Sequence, residues 1–200
     1  MAEYDKFAEK YEKLTEKLET KTREHTHSLI KSSLKDKNLL DVGCGSGADA
    51  KYYLNKGAKV FGIDISRDII ISAQQRQREN GFAHRYICAD VRRLPFTNGV
   101  FDIILSTSTL DHFDNDRDLE ISLLELKRVL KPDGLMIVAL NNRLNWNYYL
   151  LTCLSNMAGL NPYPIRFYTP KQVQKIFRQA GLVVLQKDAI VHLLNPLNSL

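Results

Sequence analysis

Two aspartates, Asp64 and Asp90, stand where carboxylates could meet a nucleotide, and a third, Asp41, ends the apolar run before a glycine-rich turn. The glycines of that turn fall at alternate positions, Gly43, Gly45 and Gly47. Asp64 ends the run from Ala58 to Ile63, and Asp90 follows Arg85 to Cys88. Alternating glycines after a buried strand mean that the backbone turns sharply against something a side chain would displace. At the carboxyl end of a parallel strand, such a turn is where open α/β sheets receive nucleotides. Asp64 comes 21 positions after Gly43, placed to accept hydrogen bonds from both hydroxyls of a ribose. Capping a helix that starts near Ser66 is its other use. Asp90 could accept from an exocyclic amino group while Val91 packs near a base, or it could satisfy its own turn. A further pair, Asp111 and His112, follows an apolar run and the polar segment Ser106 to Ser108. Residues just beyond a strand's carboxyl end line the crevice, so these two are the acid-base candidates. A helix cap and a hydrogen-bonded structural imidazole are the equal alternative.

Alternating strands and helices must position these groups. After the glycine turn, Ala48 to Lys56 reads as a helix stopped by Gly57, and Ala58 to Ile63 as a strand. Ile69, Ile70, Ala73 and Gln77 continue a helix to Gly81, and Arg85 to Cys88 is a short third strand. Residues 92 to 100 are rich in turn formers, and Phe101 to Leu105 is apolar throughout, as a doubly covered parallel strand should be. Leu119, Leu123, Leu126 and Leu130 share one helical face, closed by Lys131 to Gly134; Leu135 to Leu140 is the fifth strand. Thr169, Pro170 and Gln172 form a capping box for a helix to Ala180, with Gly181 ending it and Leu182 to Gln186 as a sixth strand. The pattern implies an α/β fold, a doubly wound, mostly parallel sheet with helices on both faces. Ala189 to Leu194 is apolar but precedes Pro196, which leaves an abbreviated last edge strand or a truncated chain after Leu200.

Two segments lie outside this alternation. Tyr4, Phe7, Ala8, Tyr11, Leu14 and Leu18 form a helical stripe in a charged segment. It either covers the core or acts as a movable cover, with Tyr4 and Tyr11 able to touch a ligand. Asn141 to Phe167 carries Trp146, Tyr148, Tyr149, Leu150 and Leu151. It is expected to cap one end of the sheet and to govern substrate choice, with packing cover and peripheral lipid contact as alternatives. The organisation is one domain over residues 1–200: an N-terminal helical cover (1–37), a cofactor-binding core (38–140), a substrate-cap insertion (141–167), and a C-terminal helix with edge strand (168–200).

With 44% apolar and 26% charged residues, the 200-residue chain is ordinary for a globular domain. Its net charge of +5 is scattered, so no nucleic acid partner is expected. Cys44, Cys88 and Cys153 are far apart and share no metal-ligand spacing, which favours a reducing cytoplasm and no metal site. The N-terminus lacks a signal peptide's apolar core, and no run approaches the ~20 residues that span a bilayer. His25 and His27 have no nearby ligand partners and read as solvated. The sequence leaves the oligomeric state open.

Spacing leaves the nucleotide open too, because Gly43, Gly45 and Ala48 satisfy the dinucleotide pattern GxGxxA and Asp64 would suit NAD. Five segments in order carry more: LLDVGCGSG, VFGIDIS, ICADVRRLPF, VFDIILSTSTLDHF and LKRVLKPDGLMIV. Together they resemble the class I S-adenosylmethionine-dependent methyltransferases, especially the small-molecule group that methylates quinones and natural products, over roughly residues 4 to 187. The resemblance implies a Rossmann-like methyltransferase fold with S-adenosyl-L-methionine as cofactor. It implies that the backbone at Gly43, Cys44 and Gly45 meets the methionine part, with Asp41 ordering the loop. It assigns Asp64 to the ribose, Ile65 to packing on adenine, Asp90 with Val91 to the adenine amino edge, Ser106 to the sulfonium end and Tyr11 to closure over the cofactor. The implied activity moves a methyl group to an O, N or C atom of an unidentified small-molecule acceptor by in-line displacement, with His112, beside Asp111, as an assisting base for a hydroxyl. The alternatives are a non-catalytic S-adenosylmethionine-binding protein and an NAD-dependent oxidoreductase, for which no catalytic pair is evident. The family usually completes a seventh, antiparallel strand, and here the chain departs from it.

Overall fold

Runs without polar alternation can be strands only if both faces are covered, and the computed structural model covers them. It describes residues 24–80, 85–107, 109–146, 149–150, 153 and 165–186. The N-terminal stripe with Tyr4 and Tyr11, much of the 141–167 insertion and the Ala189 to Leu194 run lie outside the described residues. The chain divides into two units, residues 1–33 with 190–200, and residues 34–189. In the first, residues 24–29 are helical, with the Ser28 hydroxyl donating to the His25 carbonyl at 2.7 Å.

The second unit holds five strands: β1 (Asn38–Val42), β2 (Lys59–Asp64), β3 (Tyr86–Cys88), β4 (Phe101–Ser106) and β5 (Leu130–Val138). All neighbours pair in parallel, in the order β3-β2-β1-β4-β5. The chain thus works outward from β1 to β3, returns to β4 beside β1, and works outward again to β5. With right-handed crossovers, this reversal puts helices α1 (Ala50–Asn55) and α2 (Arg67–Asn80) on one face and α3 (Asp116–Val129) on the other. The crevice at the reversal lies beyond the carboxyl ends of β1 and β4, where Val42 pairs with Ser106.

Leu40 and Val42 from β1 and Ile104 from β4 pack with Leu119, Leu123 and Leu126 of α3, and with Ile176 and Ala180 at helix α4 (Pro170–Gln179). The three α3 leucines are fully buried, each a gain of about 1.5–3 kcal/mol. Asn115 caps α3 by accepting from the Asp118 N-H at 2.9 Å. The capping box expected at Thr169 and Gln172 opens α4. At the opposite end of the sheet, Asp102 accepts from the Asn38 N-H at 2.9 Å and pairs with Lys37 and Lys131.

Two boundaries differ from the sequence expectation. Helix α3 stops at Val129, and Leu130 already pairs with Phe101 before a register shift brings Leu135 opposite Ile103. The segment Lys131 to Gly134 is therefore a bulge inside β5, anchored by the Lys131–Asp102 ion pair, and not a closing turn. The expected sixth strand at Leu182 to Gln186 is not formed. The N-H of Gly181 donates to Arg178 and that of Leu182 to Phe177, both at 2.9 Å, a Schellman cap that turns the chain back onto α4. Gly181 adopts the positive φ this cap requires, and Val183 and Leu185 beyond it are 83% and 85% exposed. No helix among the described residues is long and apolar enough to cross a membrane.

Gly62 in β2 has no room for a side chain, because an added Cβ would overlap the Tyr86 ring and come within 2.9 Å of Cys44 Sγ. Gly62→Ala should destabilise the protein by about 1–3 kcal/mol through overpacking, read as a lower urea midpoint with an unchanged slope. A midpoint equal to that of the parent would contradict this packing.

Candidate functional site

The turn after β1 is fixed from beneath by β2. Gly43 and Cys44 both donate their N-H to the Ile63 carbonyl, at 2.8 and 3.0 Å. Gly45 donates to Asp64 Oδ2 at 3.2 Å, and Gly47 to the Cys44 carbonyl at 2.9 Å. Gly43, Gly45 and Gly47 have φ of 69°, 52° and 74°, a region closed to most side chains. At Gly43 space is lacking too, since a Cβ would overlap the Thr109 side chain. Thr109 Oγ1 lies 3.0 Å from the Val42 carbonyl and 3.1 Å from that of Thr107, joining the segment after β4 to the end of β1. Sequence reasoning passed over Thr109; its only signal was its place directly after the polar segment Ser106 to Ser108.

Asp64 meets the loop with both oxygens, since Oδ1 accepts from the Ser66 N-H at 2.9 Å while Oδ2 takes Gly45. The cap of α2 is Ser66, whose Oγ accepts from Ile69 at 3.4 Å. Asp64 therefore braces the turn and leaves the capping to Ser66, and two backbone partners leave a carboxylate lone pairs for further donors. Beside it Ile65 is 71% exposed. Asp41 is buried in β1 beneath the same turn. Burial drives the Cys44 thiol far above its ordinary value, and the negative charges of Asp41 and Asp64 push it further. Cys44 is thus an inert thiol that registers the acidity of its surroundings.

Asp90 follows β3 as expected, but its carboxylate is largely occupied. Arg92 Nε lies 3.1 and 3.0 Å from its two oxygens, and Arg92 Nη2 lies 2.7 Å from Oδ2. These hydrogen bonds hold Asp90 below the usual carboxylate range against the opposing effect of burial. Arg92 continues to Asp118 at 3.2 Å, so Asp90 also joins its turn to α3. Val91 is buried in the apolar core.

At the crevice, Ser106 is fully buried at the end of β4, and its Oγ has no hydrogen-bond partner among the described residues. Asp111 and His112 lie on a short 3-10 turn, Leu110–His112. Asp111 is almost entirely buried, and one carboxyl oxygen accepts from the Asn141 side-chain amide. Burial pushes its carboxyl above the ordinary range, opposed by His112 and Asn141. His112 keeps part of its surface exposed.

The insertion is rooted on that turn. Arg166 donates its N-H to the Asp111 carbonyl at 2.8 Å, Tyr168 to Asn141 at 2.9 Å, and Arg143 to Tyr168 at 3.0 Å. Arg166 pairs with Asp116 at 2.8 Å, and its guanidinium lies over the Tyr168 ring at 5.3 Å. Both limbs of residues 141–167 thus meet the turn that carries the acid-base candidates. Asn141, Arg166 and Tyr168 had no sequence signal, since the hydrogen bonds and ion pair that tie them to the turn and to each other's limb join segments far apart in the chain. Among the described residues of the insertion, Leu144, Trp146 and Leu150 are exposed.

A family model described as methyltransferase domain matches residues 40–138. The ubiquinone biosynthesis O-methyltransferase of Rhodopseudomonas palustris strain BisB5 is 29% identical over 172 residues, covering 83% of this chain and 65% of that protein. The protein of the same name from Chromobacterium violaceum is 32% identical over 158 residues, covering 76% of this chain and 66% of that one. The chain therefore spans just under two-thirds of the length of these relatives. A solved S-adenosylmethionine-dependent methyltransferase from Clostridium acetobutylicum superimposes with a TM-score of 0.70 at 18% identity, covering 92% of this chain and 89% of that one. That likeness is one of fold.

Because Asp111 is raised in the folded state, its contribution to stability is fully present below its ordinary value of 3.8 and is lost as pH rises through the raised value. Asp111→Asn removes this dependence while retaining an oxygen for Asn141. The difference in Tm between variant and parent should shift in the variant's favour as pH increases from about 4 towards neutrality. Parallel melting profiles across that range would contradict it.

Proposed function

The chain belongs to the class I S-adenosylmethionine-dependent methyltransferase family, and from that premise we propose that it methylates a small-molecule acceptor with S-adenosyl-L-methionine. One observation carries the reading: the N-H groups of Gly43, Cys44 and Gly45 all point back to Ile63 and Asp64. A pyrophosphate needs such donors directed at it, and here they are engaged beneath the turn with Asp41 and Asp64 nearby. An acidic loop with its donors turned inward suits an ammonium and a sulfonium. This argues against NAD, although the glycine spacing is shared.

The residues fit that cofactor along its length. Backbone at Gly43, Cys44 and Gly45 approaches the methionine end closely, with Asp41 ordering the turn from below. Asp64 accepts from the ribose hydroxyls with the lone pairs that Gly45 and Ser66 leave. Exposed Ile65 offers an apolar surface to adenine. Asp90 offers the adenine amino group what Arg92 leaves of its carboxylate, with Val91 contributing from the core side. Ser106 stands near the sulfonium end with its hydroxyl enclosed at the end of β4, and Tyr11 remains the proposed closing residue. When bound, S-adenosyl-L-methionine supplies an activated methyl group. The protein must exclude water and hold the acceptor atom in line behind that methyl, and such positioning can lower a barrier by ~7–11 kcal/mol.

The names of the relatives, O-methyltransferases of ubiquinone biosynthesis, support an oxygen acceptor. For a hydroxyl, His112 removes the proton, a role typically worth ~100- to 10,000-fold, while buried Asp111 anchors the turn beneath it. Exposed Leu144, Trp146 and Leu150 support an apolar acceptor arriving from the insertion, with peripheral lipid contact. The three cysteines, all free, support a reducing cytoplasm.

Calorimetric titration should show binding of S-adenosylmethionine and S-adenosylhomocysteine but not NAD, and Asp64→Ala should weaken both by about 10- to 100-fold, the worth of one or two charged hydrogen bonds. Binding of NAD alone would refute the assignment. Once a phenol from a screened panel is found to be methylated, His112→Gln should lower kcat by about 100-fold or more. Equal kcat across pH would remove the histidine from the mechanism.

A further inference from the structure

Beneath the last glycine of the cofactor loop lies a polar contact that the proposed chemistry does not use. Gln77 of α2 and Tyr86 of β3 are both buried. Gln77 Nε2 donates to the Tyr86 hydroxyl at 2.6 Å and reaches the Gly47 carbonyl at 3.3 Å. The Tyr86 ring lies across β2 in the space that a Cβ on Gly62 would fill, and its hydroxyl reaches the space of a Cβ on Gly47. One aromatic side chain therefore spans from β3, over β2, to the end of the loop after β1. One turn position earlier on α2, Arg76 Nη1 lies 3.0 Å from Ser46 Oγ, so two successive helix residues touch two successive loop residues.

A buried amide that serves only stability is a poor choice. Gln77 Oε1 has no hydrogen-bond partner among the described residues, a condition that costs about 1–3 kcal/mol. An apolar side chain of the same length would avoid that cost and fill the same volume. What it could not do is hold the Gly47 carbonyl and the Tyr86 hydroxyl together.

We propose that Tyr86 and Gln77 are positioning residues for the cofactor loop, a clamp from β3 and α2 that sets where Gly47, and through it the backbone from Cys44 to Gly47, stands in the crevice. This rests on the reading of that loop as the holder of the methionine end of S-adenosylmethionine. Gly47 donates to the Cys44 carbonyl and accepts from the Ala50 N-H at 3.3 Å, so a displacement at Gly47 passes into both the turn and the first residue of α1. The clamp acts on the loop's position and touches no reacting atom.

The test uses Tyr86→Phe, which keeps the ring and removes the hydroxyl, and Gln77→Met, which keeps length and removes both hydrogen bonds. Each is compared with the parent for Tm, amide hydrogen exchange of residues 44–47 without ligand, and calorimetric affinity for S-adenosylhomocysteine. A positioning role predicts exchange about five-fold faster or more at residues 44–47 in both variants, and S-adenosylhomocysteine binding about 5- to 10-fold weaker, the worth of one hydrogen bond. The Tm of Gln77→Met reports packing alone, since removing the unpartnered Oε1 offsets the loss of the donor to the Tyr86 hydroxyl. A loss of Tm with unchanged exchange at residues 44–47 and unchanged affinity would overturn the proposal and leave a packing role. If the parent binds no S-adenosylhomocysteine, the cofactor assignment fails, and exchange then decides the clamp alone: faster exchange at residues 44–47 keeps it and parental rates overturn it.

Discussion

The hydrogen bonds from Gly43 and Cys44 to the Ile63 carbonyl hold the rest of the site in place. They require β1 and β2 to be adjacent and parallel, with Val42 opposite Ile63. Given that register, Asp64 arrives one residue later, beside the Gly45 N-H, and braces the same turn. The loop's donors then face inward, the carboxylates gather around it, and the crevice favours a cation over an anion. A glycine-rich turn of the same spacing with its donors outward would be a phosphate cradle. The difference is one of hydrogen-bond direction, set by β2.

The sheet order extends this constraint to the reacting side. Because β4 lies against β1, Thr109 can reach the Val42 carbonyl and occupy the space that Gly43 leaves. The 3-10 turn that follows is buried at Asp111 and open at His112, so one residue can anchor and its neighbour can face a substrate. Asn141 and Arg166 attach to Asp111 from the two limbs of the insertion. The two limbs of the insertion and the 3-10 turn are thereby mechanically joined, through a carboxyl group that burial makes hard to ionise.

Where local pattern and observed structure part, tertiary contacts explain the difference. Lys131 to Gly134 contains Pro and Gly and reads as a turn, yet Leu130 is drawn into pairing with Phe101 and the segment bulges within β5 around Asp102. Leu182 to Gln186 reads as a strand by its apolar content, yet the Schellman cap engages the amides of Gly181 and Leu182, and the following side chains stay exposed. Asp90 occupies the position expected of it, but Arg92 takes much of its hydrogen-bonding capacity. That competition involves a side chain two residues away whose direction only packing determines.

Periodicity and turn chemistry by themselves specify much of this protein. Five continuous or nearly continuous apolar runs, separated by helical stripes and closed by Gly, Asp or a capping box, can satisfy their burial only as a doubly wound parallel sheet. The same local order places Gly43 to Gly47, Asp64, Asp90 and Asp111 with His112 at strand ends, because a residue's place at a strand end is a property of its own segment. What the tertiary structure alone decides is how those ends meet. The inward direction of the loop's amides, Thr109 over Gly43, Tyr86 and Gln77 under Gly47, and Asn141 with Arg166 on Asp111 all join segments many positions apart. Such contacts depend on strand register and on where a side chain has room, and neither quantity exists until the sheet has closed its neighbours together.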